Sequence, residues 1–162
     1  MTARGRPSCR GGFTLFEMLV VLGLVAIVMT FGGLAFSGYF QRSSARRAAS
    51  LFAQDLAGAR SYAIRSRERV VVRFFEATRR YEVETQTTAT PVARRRFEGT
   101  SADIDLSGLS LNTLGDSIVF TARGLAEFAP QSGVLGVATF SSGAVSYTVS
   151  FNGMGASKIE QT

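Results

Sequence analysis

Hydrophobic positions change their spacing twice along this chain. Residues 13–36 are apolar almost without interruption, residues 41–67 place apolar side chains every three or four positions, and residues 70–152 place them every second position in short runs. The first stretch has no polar face. As a helix rising 1.5 Å per residue it would measure roughly 36 Å, enough to cross a hydrocarbon core of about 30 Å. In the second stretch Ala45, Ala49, Phe52, Leu56, Ala59 and Ala63 recur on one stripe, as an amphipathic helix requires. The stripe is mostly alanine, so another layer can approach it closely, and Arg46, Arg47, Ser50, Gln54, Ser61 and Arg65 fall largely elsewhere. Such a helix packs on a sheet.

The third stretch predicts strands. Residues 70–75 are β-branched and aromatic, and residues 79–87 alternate through Tyr81, Val83 and Thr85, as a half-buried strand does. These two form a hairpin around residues 76–79. Residues 88–100, with Pro91 and the run Arg94-Arg95-Arg96, read as a polar loop. A weaker alternation through Ile104 and Leu106 predicts a strand within 103–111, and 117–122 another. Residues 123–133 read as a loop broken by Gly124, Pro130 and Gly133. Residues 134–140 and 144–152 form a second hairpin across Ser141-Ser142-Gly143, with Val145, Tyr147, Val149 and Phe151 on one face. The glycine-rich tail, 153–162, reads as a sheet edge or a disordered end. The fold class is therefore α+β: a long N-terminal helix, its first half apolar and its second amphipathic, packed on an antiparallel sheet.

Charge adds a direction. Arg4, Arg6 and Arg10 precede the apolar stretch, and Glu17 is its only ionisable group before Tyr39. The arginines keep the N-terminus cytoplasmic, which puts the rest of the chain across the membrane. A carboxylate in the middle of a spanning helix costs about 2.5–3.5 kcal/mol on insertion scales, so Glu17 calls for a partner. A secretory signal has a shorter apolar region, with its cleavage site after that region rather than before it. The formal charge of +6 overstates how basic the folded part is, since removing three arginines with the first twelve residues leaves +3. Cys9, the only cysteine, lies in that same leader, so the remainder has no disulfide or thiol chemistry.

Gly12-Phe13-Thr14-Leu15 followed by Glu17 resembles the class III leader of type IV pilins and type II secretion pseudopilins. The resemblance implies cleavage between Gly12 and Phe13 by a prepilin peptidase, N-methylation of Phe13, and pairing of the Glu17 carboxylate with the N-terminal amine of a neighbouring subunit. Where many pilins carry a proline in the apolar helix, this chain carries Gly32-Gly33, suited to a bend or to close helix packing. Residues 56–64, Val70-Val71-Val72, and Ile118-Val119-Phe120 followed by Gly124 resemble the GspH/FimT minor pilins and pseudopilins. The implied organisation is a leader at 1–12 that is removed, a transmembrane and filament-core helix at 13–40, and an exported α+β domain at 41–162.

Three functional classes follow. The first is a structural subunit of a type IV pilus or type II pseudopilus, acting in filament assembly or at the tip. Its partners are other pilin subunits, the prepilin peptidase/N-methyltransferase and inner-membrane lipid. The second is a DNA-binding minor pilin for uptake. Some FimT-type members use a C-terminal glycine-arginine-x-arginine segment, and the matching stretch here, 153–158, holds Lys158 and no arginine; Arg94, Arg95 and Arg96 are the other candidates. Tyr81 and Phe97 beside them suit either base stacking or a core. The third class, an enzyme, is disfavoured. There is no histidine, no phosphate-binding glycine loop, and only Lys158 as a basic group for a serine nucleophile. Asp103, Asp105 and Asp116 lack a calcium-loop pattern. No cofactor is expected.

Overall fold

The computed structural model describes residues 13–100, 102–131 and 133–162, with the backbone but not the side chains of 31–37. The leader, its arginines, Cys9, Gly12 and the Gly32-Gly33 side of the apolar stretch thus lie outside what is described. The chain divides into two compact units at Gly38/Tyr39, which one helix, α1 (Leu15–Ser66), runs through.

In the first unit α1 starts because Thr14 caps it. The Thr14 hydroxyl accepts the Glu17 backbone N–H at 3.2 Å, satisfying one of the free donors of a helix start. Glu17 therefore sits in the first turn, where the exposed N–H groups favour an anion. From there to Thr30 the side chains are large, apolar and exposed all round the helix, among them Leu15, Phe16, Leu19, Leu22 and Val28.

In the second unit α1 buries the alanine stripe and carries two antiparallel sheets. Among the described residues the strands are β1 (Val70–Phe75), β2 (Arg80–Thr85), β3 (Pro91–Arg96), β4 (Gly108–Leu111), β5 (Ser117–Phe120), β6 (Ala126–Glu127), β7 (Gly136–Ser142), β8 (Val145–Phe151) and β9 (Ser157–Gln161). The first sheet runs β3-β2-β1-β5-β6 and the second β4-β7-β8-β9. Ala45, Ala49, Phe52, Leu56, Ala59 and Ala63 are all buried. Small side chains let both sheets come close, and Phe52 fills the space between them. Its ring lies 5.3 and 5.4 Å from Phe74 and Tyr81 of the first sheet and 5.5 and 6.3 Å from Phe140 and Phe151 of the second. Aromatic pairs at such separations add about 0.5–1.5 kcal/mol each beyond their burial.

The structure revises the sequence expectations in four places. The sheet is two sheets. The polar loop at 88–100 contains β3, which pairs with β2 through the whole arginine run. Pro91 opens this strand at the sheet edge, where its missing N–H costs no ladder bond. The strand expected within 103–111 is confined to β4, while Leu106 reaches the core from irregular chain. The loop expected at 123–133 contains the short strand β6. Of the two readings of the tail the edge holds, as strand β9 on β8. The hairpins at 76–79 and 141–143 stand as expected. Gly136 is required where it is, because a Cβ there would lie 2.1 Å from the Phe151 ring. The outer edge of β4 is closed from the side, since Glu76 accepts the Leu111 backbone N–H at 2.8 Å.

Candidate assembly helix and basic surfaces

Glu17 is exposed on the first turn of α1 and makes no ion pair with a described residue. Phe13 is exposed two positions before the helix, so a terminal amine placed there and the Glu17 carboxylate lie at the same end of an apolar rod. The chemistry on offer is one uncompensated negative charge on a surface with no other polar group before Thr30 except Thr14. Such a surface needs cover from lipid or from other helices. Among the described residues no helix is long and apolar enough to cross a membrane; the described side chains of the apolar run end at Thr30.

The candidate nucleic-acid residues are separated by strand alternation. Arg94 and Arg96 point outward from β3, and Arg95 points inward toward α1. There Asp55 receives a forked pair of hydrogen bonds, from Arg95 Nε at 2.8 Å and from a terminal nitrogen at 3.2 Å. The Tyr81 hydroxyl donates to the same carboxylate at 2.8 Å. Burial holds the Tyr81 phenol well above its ordinary pKa, and the Asp55 charge and hydrogen bond push it further the same way. The hydrogen bond to Asp55 also raises Arg95. A partly buried carboxylate held by a guanidinium and a phenol is a structural clamp between α1, β2 and β3, and Arg95 is committed to it. Tyr81 and Phe97 are fully buried, in the core rather than open to bases.

The outward arginines of the first sheet have carboxylates among them. Arg73 pairs with Glu84 at 2.9 Å, and Arg80 and Arg94 each lie 3.9 Å from Glu82. Arg79 holds Glu98 at 2.8 Å and donates to the Leu106 carbonyl, and Arg69 bonds Glu127. Lys158, on the other sheet, pairs with Glu160 at 2.6 Å. Thus Lys158 stands apart on the other sheet, while Arg94, Arg95 and Arg96 line one open cleft with Arg80, Glu82 and Asp103. Sequence reasoning passed over Asp55, yet it carried a signal: it is the only acid between residues 18 and 67 and sits three after Phe52 and four before Ala59, beside the buried stripe. Among the described residues, Arg42, Arg46 and Arg47 cluster without a paired carboxylate, exposed on α1 just after the apolar stretch.

A long N-terminal helix, apolar in its first half and laid by its second half on antiparallel sheets, defines a type IV pilin-like protein. The sequence profile of the type II transport protein GspH family matches residues 48–155, and that of the prokaryotic N-terminal methylation motif matches residues 7–32. The chain belongs to the GspH family, a family of structural pilin-like subunits rather than enzymes. Its fold is similar to that of the type IV minor pilin FimU of Pseudomonas aeruginosa, with a TM-score of 0.55 at 15% identity, covering 75% of this chain and 92% of that one. A second crystal form of FimU gives 0.52 at 16% identity, with coverage of 71% and 91%. The minor pseudopilin EpsH from the type 2 secretion system of Vibrio cholerae scores 0.49 at 17% identity, with coverage of 73% and 97%. No curated protein matches the chain in sequence.

Proposed function

We propose that this protein is a minor structural subunit of a type IV pilus or type II secretion pseudopilus. In this reading the first twelve residues are a leader removed between Gly12 and Phe13 by the prepilin peptidase, which also methylates the Phe13 amine. Residues 13–40 anchor the chain in the inner membrane with the N-terminus cytoplasmic and residues 41–162 exported. The same helix then enters the filament beside those of other subunits. The observation that carries the reading is the start of α1: an apolar surface exposed all round, with Glu17 as its single charge. Removed from water, that carboxylate is stabilised by an opposite charge on a neighbour, and a new terminal amine supplies one. Changing Glu17→Ala leaves processing intact and reduces incorporation into filaments at least tenfold, scored by immunoblot of sheared filaments against the membrane fraction. Wild-type incorporation of this variant removes the docking role.

The alternative, a DNA-binding minor pilin, draws on the outer face of the first sheet, where Arg73, Arg80, Arg94 and Arg96 share one side with Glu82 and Glu84. Mixed charge at this spacing favours a surface neutralised within itself, so we take assembly as the function.

A further inference from the structure

We propose that the start of the second unit is a binding site for the phosphate headgroup of anionic phospholipid. Tyr39, Arg42, Arg46 and Arg47 face one side of α1 and line an open cleft of about 390 Å³, closed on its far side by Tyr147 and Gln161. At 100° per residue these four positions span less than half of the helix circumference, in an arc that borders the buried Ala45, Ala48 and Ala49. Tyr147 donates a hydrogen bond to Gln161 at 3.2 Å, which fixes the wall. The tip of the β7–β8 hairpin abuts α1 beside this cleft, for a Cβ on Gly143 would lie 2.5 Å from the Gln41 side chain.

Three features select a lipid phosphate. The first is charge: Arg42, Arg46 and Arg47 are exposed, no carboxylate among the described residues pairs with them, and α1 carries no acid from residue 41 to 54. The second is position. In sequence the cleft begins at Tyr39, three residues after the apolar stretch, and Tyr39 and Phe40, 70% and 63% exposed, precede its arginines. An aromatic pair followed by arginines is the composition of a membrane–water interface. The third is cost. Arginines just beyond the exported end of a span oppose the orienting bias of Arg4, Arg6 and Arg10, and a headgroup that binds them offsets that cost. Arginine forks match phosphate oxygens two at a time.

The inference rests on the membrane reading of residues 13–40, and the test separates the two. The full chain is reconstituted in phosphatidylcholine vesicles and washed at alkaline pH; if it washes off, the membrane reading fails. The chain in neutral detergent is then titrated with phosphatidylglycerol, phosphatidylcholine or inorganic phosphate, and bound lipid is counted by native mass spectrometry. Phosphatidylglycerol should bind in preference to phosphatidylcholine, and affinity should drop about fivefold for each arginine changed to glutamine at 42, 46 and 47. Arg94→Gln, away from the cleft, should change nothing. Equal retention of the two lipids, or a preference that survives the triple change, overturns the site, as does an acidic pilin subunit that saturates the cleft while phosphatidylglycerol does not. Phosphate binding as tight as the lipid reassigns the site to free anion and also overturns it.

Discussion

The arginines of the first sheet and the arginines at the start of the second unit look alike in sequence and differ in their neighbours. On the strands or at their ends, Arg69, Arg73, Arg79, Arg80, Arg94 and Arg95 each lie within 4 Å of a carboxylate. On α1, Arg42, Arg46 and Arg47 have none among the described residues. The origin is local. β2 alternates acid with apolar, so Glu82 stands across from both Arg73 and Arg94 in the ladder and Glu84 pairs with Arg73 along the same face, whereas the helix offers no acid one turn away from Arg42, Arg46 or Arg47. A run of basic residues therefore reports free charge only when the neighbouring element lacks acids.

The strongest way to break this contrast is at Asp55. Asp55→Ala leaves the Arg95 guanidinium and the Tyr81 hydroxyl without their shared acceptor. Breaking a fully buried ion pair costs about 3–5 kcal/mol; with Arg95 about a third exposed, a loss of about 2–3 kcal/mol is expected, read from the thermal unfolding of the chain in detergent. A loss below 0.5 kcal/mol would place the clamp with ordinary surface pairs. The second effect is alkaline. The folded pKa of Tyr81 is raised above the unfolded value near 10, so the folded state holds its proton more tightly. Its contribution is fully present below pH 10 and falls as pH rises beyond that, because only the unfolded phenol ionises. Tyr81→Phe should flatten the stability profile between pH 10 and 12, and an unchanged slope would contradict the burial of that hydroxyl. The smallest effect is expected on the outer face of the first sheet. Duplex DNA titrated in a salt series should show no micromolar binding even at low salt. Micromolar binding that weakens with salt and is lost in Arg94→Gln/Arg96→Gln would make this face, and not the helix, the basic site.

Much of the fold was legible because hydrophobic spacing determines it. The stripe from Ala45 to Ala63 is buried throughout, and β1, β2, β5, β7 and β8 lie where the alternation put them. β3 was missed because arginine carries no strand signal: its side chains alternate between the clamp and solvent, a pattern that hydropathy cannot distinguish from a polar loop. β9 was left open because an exposed edge strand needs no buried positions. The split into two sheets is a tertiary result, set by where Phe52 and the alanines allow each hairpin to rest. Of the candidate site, the roles proposed for Gly12, Phe13 and Glu17 rest on a short motif, while the fate of Arg95 depended on a carboxylate forty residues away.

Asp55 also has a mechanical meaning. It lies past the midpoint of α1 and is tied to β2 and β3 by three hydrogen bonds. A pull along the helix axis reaches these bonds sideways and together, in shear, rather than peeling them one after another from a chain end. Load entering through α1 thus passes into the strand pair β2–β3 as well as into the apolar packing around Phe52, and the helix resists sliding along the sheets by charge as well as by shape.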